Sequence, residues 1–317
     1  MGHNGNFSFI ANHIELTCDL PFELAPGYTI KKADDAQIAA IEEYLQRFGQ
    51  FVCPSTQQLP YRVCYLSKKL SEQETHITTQ PIEKSKWKYF ITSYEEDGSL
   101  ELFKIQLAAN IADVVLTFDL LKFELFRGEY ACTCEPDLVF RFFSETDHTI
   151  QHRVNLEDLR QIKQTYENIP QIQNAYPGIM RSMTLYNSLR YLPKYHDLKT
   201  LGLFTVIESL LTHDPQSSET GDSLTRQVRT KVPLVFGRSP RDIGYSGCFG
   251  NAKQDKVWKT LYGYRSCLAH GKGPDFNEEF RILRNPGVVN DFLTQSIKLL
   301  LLQALTEPQL ITDLKEC

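Results

Sequence analysis

Hydrophobic and polar residues follow two rhythms along this chain. In the first half, short alternating or aromatic runs mix with helical stripes. Beyond about residue 170 the strand-like runs stop, and apolar positions recur every three or four residues to the end. Phe7 to Leu20 alternates and suggests an early strand. Asp34 and Gln37 form a capping box, and Ile38, Ile41, Leu45 and Phe48 give the buried stripe of a helix closed by Gly49. Tyr61 to Leu66 is a strand candidate. Lys86 to Tyr94, KWKYFITSY, is a second, rich in β-favouring residues. Asp97-Gly98 then predicts a turn, making LELFKIQL the return strand of a hairpin. Ile111 to Phe126 fits a helix followed by a strand, with one buried strand as the alternative. Asp137 to Phe143, DLVFRFF, reads as a strand.

Asn155 and Asp158 cap a helix expected to run to Asn168 and stop at Pro170. Further helices are predicted at 177–192, 197–212, 223–236, 251–270 and 288–305, with a short piece at 307–315. The fold class is thus an α+β N-terminal domain, residues 1–172, followed by an all-α helical bundle, residues 173–317. The loops at 213–222 and 237–250 are polar or glycine-rich, and the second borders the helix that carries the candidate chemistry.

That helix is KVWKTLYGYRSCLAHG, Lys256 to Gly271. Val257, Leu261, Tyr264 and Leu268 form one apolar stripe. Trp258, Tyr262, Arg265 and Ala269 form another, broken by the arginine. Gly271 suits a left-handed stop just after His270. Five helical residues turn about 500°, so Arg265 and His270 point roughly 140° apart unless the histidine leaves the helical path. Two copies of the helix about a twofold axis would gather both residue types at one cleft.

Charge sharpens the picture. The formal net charge of −5 argues against bulk electrostatic coating of nucleic acid. Yet between Arg226 and Lys272 ten basic residues face two acids, a local balance of +8 against −13 elsewhere. Such a segment suits an anionic ligand if it is gathered on one face. Eight cysteines lack C-x-x-C or zinc-ligand spacing and fit reduced thiols; with no signal-peptide pattern at the N-terminus, the expected compartment is the cytoplasm. LLLLQAL is too short to span a bilayer, so no membrane role is expected. The first half carries no nucleotide-binding glycine loop, G-x-S-x-G elbow or H-E-x-x-H. His148 and His152 are four apart but lack a third ligand, so no metal is expected.

Arg265-Ser-Cys-Leu-Ala-His270 resembles the R-x4-6-H motif of the HEPN superfamily, all-helical proteins that include many metal-independent ribonucleases. LGLFTVIESLLTH, SLTRQVRTKVPLVFG and LYGYRSCLAHG are similar, in order, to successive helices of the ApeA-like HEPN family, whose members occur in bacterial anti-phage defence. The resemblance covers the last 140 residues or so. It implies an endoribonuclease without cofactors, in a defence or toxin-like system, with a site shared across a homodimer. RNA is the implied partner, and the N-terminal domain would sense a trigger or bind an antitoxin.

The chemistry fits the residue types. RNA supplies its own nucleophile, the 2′-hydroxyl, so catalysis needs a base, an acid and a cation on the phosphate. Histidine titrates near neutrality and serves as acid or base. Arginine offers forked donors to a phosphate. The resemblance assigns Arg265 to the phosphate and His270 to proton transfer, giving a 2′,3′-cyclic phosphate. Ser266 takes the place where many HEPN nucleases carry Asn, Asp or His; it keeps hydrogen bonding but is no acid or base at neutral pH. Lys256, Lys259 and Lys272 are candidates to steer the RNA backbone, as are Arg226 and Arg229. Tyr262 or Tyr264 could stack a base, with packing at least as good an account. Glu208, an acid in an apolar run, is expected to pair with Arg226 or Arg229 and fix helix register, or else to support the site. The competing reading is a non-catalytic HEPN module that binds RNA or protein.

Overall fold

A computed structural model of the chain describes residues 5–52, 64–69, 75–80, 87–95, 99–145, 150–193, 195–214, 223–238 and 243–317. The chain divides into two units, Met1–Tyr166 and Glu167–Cys317.

The first unit is built on a six-stranded antiparallel sheet. Its strands are β1 (Asn6–Phe9), β3 (Phe22–Ala25), β4 (Tyr28–Lys32), β7 (Phe90–Tyr94), β8 (Leu121–Phe126) and β9 (Glu129–Thr133), in the order β3-β4-β7-β1-β8-β9. The expected early strand is therefore two strands. β1 sits inside the sheet, while β2 (Ile14–Leu16) pairs in parallel with β10 (His152–Val154). The β5 (Cys64–Lys69) and β6 (Thr75–Gln80) strands form a separate hairpin. Tyr61 to Val63 and the Asp97-Gly98 turn lie outside the described residues.

Helix α1 (Asp35–Val52) starts on the predicted capping box, with Gln37 N–H donating to Asp34 Oδ1 at 2.9 Å and Asp34 N–H to Gln37 Oε1 at 3.0 Å. It runs through Gly49 instead of ending there. Ile41 and Leu45 pack with Phe7, Phe9, Phe123 and Val139 in a closed apolar cluster.

Two predicted strands are helices. LELFKIQL lies in α2 (Ser99–Ala112), and DLVFRFF in α3 (Pro136–Glu145). Aromatic and branched residues dominate both runs, and local β preference yields to packing. In α2, Leu102, Ile105 and Ala109 are fully buried at helical spacing. The proline at the start of α3 suits a first helical turn. After α2 a loop leads into β8, so Ile111 to Phe126 holds a helix end and a strand. Buried Gln106 holds that loop: its Nε2 donates to Leu116 O at 3.1 Å, and its Oε1 accepts from Phe118 N–H at 2.6 Å.

Helix α4 (Leu156–Ala175) has the predicted Asn155 cap, with Glu157 N–H and Asp158 N–H donating to Asn155 Oδ1. Pro170 does not stop it; the helix continues for five residues to Ala175. His148 lies outside the described residues, and His152 sits on β10, so the two share no helix face.

The second unit is helical: α5 (Pro177–Ser188), α6 (Asp197–Leu211), α7 (Leu224–Phe236), the short α8 (Tyr245–Phe249), α9 (Gln254–Ala269), α10 (Pro286–Thr306) and α11 (Pro308–Glu316). Helix α6 contacts α5, α7, α9, α10 and α11. That central place explains its apolar sequence: Leu203, Phe204, Val206, Ile207, Leu210 and Leu211 are all buried. Gly202 permits a close approach, since an added Cβ would lie 2.3 Å from Leu189 Cδ2. Among the described residues no helix is long and apolar enough to cross a membrane.

Candidate functional site

Helix α9 buries Val257, Trp258, Leu261, Tyr262, Tyr264 and Leu268. The first expected stripe is buried throughout, and the second joins the core at Trp258 and Tyr262 but leaves it at Arg265 and the exposed Ala269. Trp258 Nε1–H donates to Tyr245 Oη at 2.5 Å, and Tyr264 packs edge-on against Phe276 and Phe280. The helix ends as its glycine predicts. Gly271 adopts φ 65°, its N–H donates to Leu268 O, and Lys272 N–H reaches back to Cys267 O, both at 3.0 Å. This is a Schellman stop, which uses carbonyls the helix would leave open. His270 is the C-cap at φ −93° and ψ 9°, with its side chain exposed.

Arg265 turns the other way. Its Nη2 lies 3.4 Å from Glu208 Oε2 on α6, so Glu208 pairs across to α9 and not with Arg226 or Arg229 on α7. The reason is the central position of α6, which faces both helices. The Glu208 side chain is 13% exposed and that of Arg265 34%, so the guanidinium is anchored at one edge and open at another. Glu208 Oε1 and the Tyr262 hydroxyl are buried beside this pair, and neither has a normal hydrogen bond. Burial, then the Glu208 carboxylate, push the Tyr262 hydroxyl far up, so it stays protonated. Arg265 thus shares a side of the bundle with Glu208 and Tyr262. No hydrogen bond joins it to His270.

The remaining predicted residues separate into three groups. Ser266, Lys256, Lys259 and Lys272 are exposed. Arg229 is tied to Asp255, with Nε–Oδ1 at 2.7 Å, and Arg226 lies on the exposed face of α7. Tyr262 and Tyr264, at 6% and 0% exposure, are core residues and cannot stack a base. Two other cations of the basic window are also committed. Lys231 is buried against Gln227 Oε1 and Lys315 O, and Arg238 pairs with Glu307 at 2.9 Å. Lys253 is exposed at the α9 N-cap, and its three-residue spacing from Lys256 sets it on the same side of the helix. Among the described residues no three His, Cys, Asp or Glu gather as a metal site would need.

Chemically, the C-terminal half of α9 offers a fixed guanidinium, an exposed imidazole at a capped tip, and ammonium groups nearby. No protein-family model, curated protein or solved structure matches the chain.

Proposed function

We propose that the helical unit is a HEPN-type domain and that it cleaves RNA as a metal-independent endoribonuclease. The observation that carries this reading is the build of the α9 tip. Arg265 is held at one edge by a mostly buried carboxylate and keeps another edge open, and His270 stands exposed five residues on at a Schellman stop. The ordered resemblance of three segments adds to it.

In this reading His270 takes the 2′-hydroxyl proton or gives one to the departing 5′-oxygen. The oxygen attacks phosphorus, the P–O5′ bond breaks, and a 2′,3′-cyclic phosphate and a 5′-hydroxyl result. Arg265 stabilises charge on the phosphate as it builds. Glu208 is a positioning residue that fixes the guanidinium. Because the two side chains leave α9 about 140° apart, a second copy about a twofold axis completes the site, and the protein acts as a homodimer. The α+β unit then restrains the nuclease or receives a trigger or antitoxin, in a cytoplasmic defence or toxin-like system.

The Arg265–Glu208 pair also favours a second reading, a HEPN module that binds RNA or protein without cutting, because a carboxylate on the arginine competes with phosphate. The test is cleavage of RNA by the purified chain in a chelator. On the nuclease reading, Arg265→Ala and His270→Ala each lower the rate by about 10²–10³ or more. Undiminished cutting by both variants would refute the site assignment, and a chain that binds but never cuts would favour the module.

A further inference from the structure

We infer that the outer face of α9 is a track for the sugar–phosphate backbone of single-stranded RNA, and that it does not read base sequence. The inference rests on the ribonuclease reading and adds how substrate reaches His270. Steps of three and four residues line Lys256, Lys259, Gly263, Ser266 and His270 along one side of the helix. Lys256, Lys259, Ser266 and His270 are exposed, and the half-buried Gly263 leaves the middle of the row without a side chain. From Lys256 to His270 the row is about 21 Å long. Lys253 extends it at the N-cap and Lys272 just past the tip.

The row keeps its charge. Lys253, Lys256, Lys259 and Lys272 form no ion pair with a described residue, whereas Arg229, Arg238 and Arg265 are each bound to a carboxylate. Asp255, the one acid on α9, is taken up by Arg229. A positive strip therefore stands on a chain of net charge −5, which localises a polyanion instead of coating the whole surface.

The residue types decide what is read. Base recognition in single strands uses aromatic faces and base-edge hydrogen bonds. All three aromatic residues of α9, Trp258, Tyr262 and Tyr264, are turned into the core. Apart from the His270 imidazole, which is given to proton transfer, the row presents ammonium and hydroxyl, which meet phosphate and ribose and carry no sequence information. The chemistry selects the strand. In-line attack puts the 2′-oxygen opposite the leaving 5′-oxygen, and a stacked A-form duplex holds the two off that line. A flexible single strand reaches it.

Binding is measured on full-length His270→Ala protein, to prevent turnover, by fluorescence anisotropy in a chelator across a salt series. The probes are oligo-U and oligo-A of equal length and the matching RNA duplex. The two single strands should bind within about threefold of each other and more tightly than the duplex. Adding K256E/K259E should weaken both single strands alike, by about tenfold or more, and flatten the salt dependence by about 1.4, from two phosphates at about 0.7 each. The milder K256Q/K259Q pair should move the same way by less, so misfolding cannot imitate the result. Unchanged affinity in both pairs, a clear base preference, or tighter duplex binding would overturn the track. Binding of poly-glutamate but not RNA would also overturn it and mark an acidic-protein surface. RNA held by the lysines yet left intact by the wild-type chain would sink the ribonuclease and spare the track; cutting that ignores the lysines would do the reverse.

Discussion

Gln106 in the N-terminal unit and Glu208 in the helical unit are both polar residues set in apolar helices. Gln106 uses both ends of its amide, on Asn110, Leu116 O and Phe118 N–H, and so fixes the loop that leads into β8. Glu208 meets Arg265 with one oxygen at 3.4 Å and its carboxylate faces the Tyr262 hydroxyl, yet its other oxygen and that hydroxyl are buried without a hydrogen bond of normal geometry. Satisfied polar groups serve the fold. On the proposed ribonuclease reading, the loosely held carboxylate beside a partly exposed guanidinium serves the site more than the fold.

Substitutions can break that contrast. Gln106→Leu should cost most, about 3 kcal/mol, since Leu116 O and Phe118 N–H lose a buried partner. Denaturant unfolding followed in the N-terminal unit would show it, and a loss below about 1 kcal/mol would make the network incidental. Glu208→Gln should lower RNA cleavage about tenfold at saturation while affinity holds or improves, because the arginine loses its anchor and also its competing anion. A rise in rate would instead make Glu208 a restraint on Arg265.

Alkaline pH tests the same region. Burial is the chief cause pushing the Tyr245, Tyr262 and Tyr264 hydroxyls up, Tyr264 to about 12. Below the ordinary tyrosine value of about 10, folded and unfolded chains both keep these protons, and stability is full. As pH rises beyond it the unfolded chain gives up protons first, so the helical unit weakens progressively toward pH 12. Unfolding midpoints flat to about pH 9.5 and falling above it are the expected result. The smallest effect is expected for Tyr262→Phe: under about 1 kcal/mol of either sign, since the hydroxyl makes no normal hydrogen bond, and cleavage within about threefold. A larger loss of cleavage would give that hydroxyl a direct part.

How far the sequence could be read also differs between the units. Helices α5, α6, α7, α9, α10 and α11 show their period, and α9 its Gly271 stop, in the local residue order, whereas the short α8 lies in the stretch expected as a glycine-rich loop. In the N-terminal unit, the aromatic content of DLVFRFF hides a helical spacing in which Leu138, Val139, Phe142 and Phe143 meet the core. Pro170 misleads in the other direction, because α4 tolerates one missing N–H. At the candidate site, Arg265, His270 and the lysines are evident because they share one helix. The Glu208 partner is not, because which neighbour α6 turns it toward depends on how the helices cross. The burial of Tyr262 and Tyr264 was likewise hidden, because a tyrosine stripe beside an arginine reads equally as core or as surface.

The central claim is that the α9 tip breaks RNA through its own 2′-hydroxyl. Mapping the ends of RNA cut by the purified chain in a chelator tests this most directly. The account predicts 2′,3′-cyclic phosphate and 5′-hydroxyl ends that disappear with His270→Ala. Fragments ending in 3′-hydroxyl and 5′-phosphate, or cyclic ends that persist in His270→Ala, would contradict it.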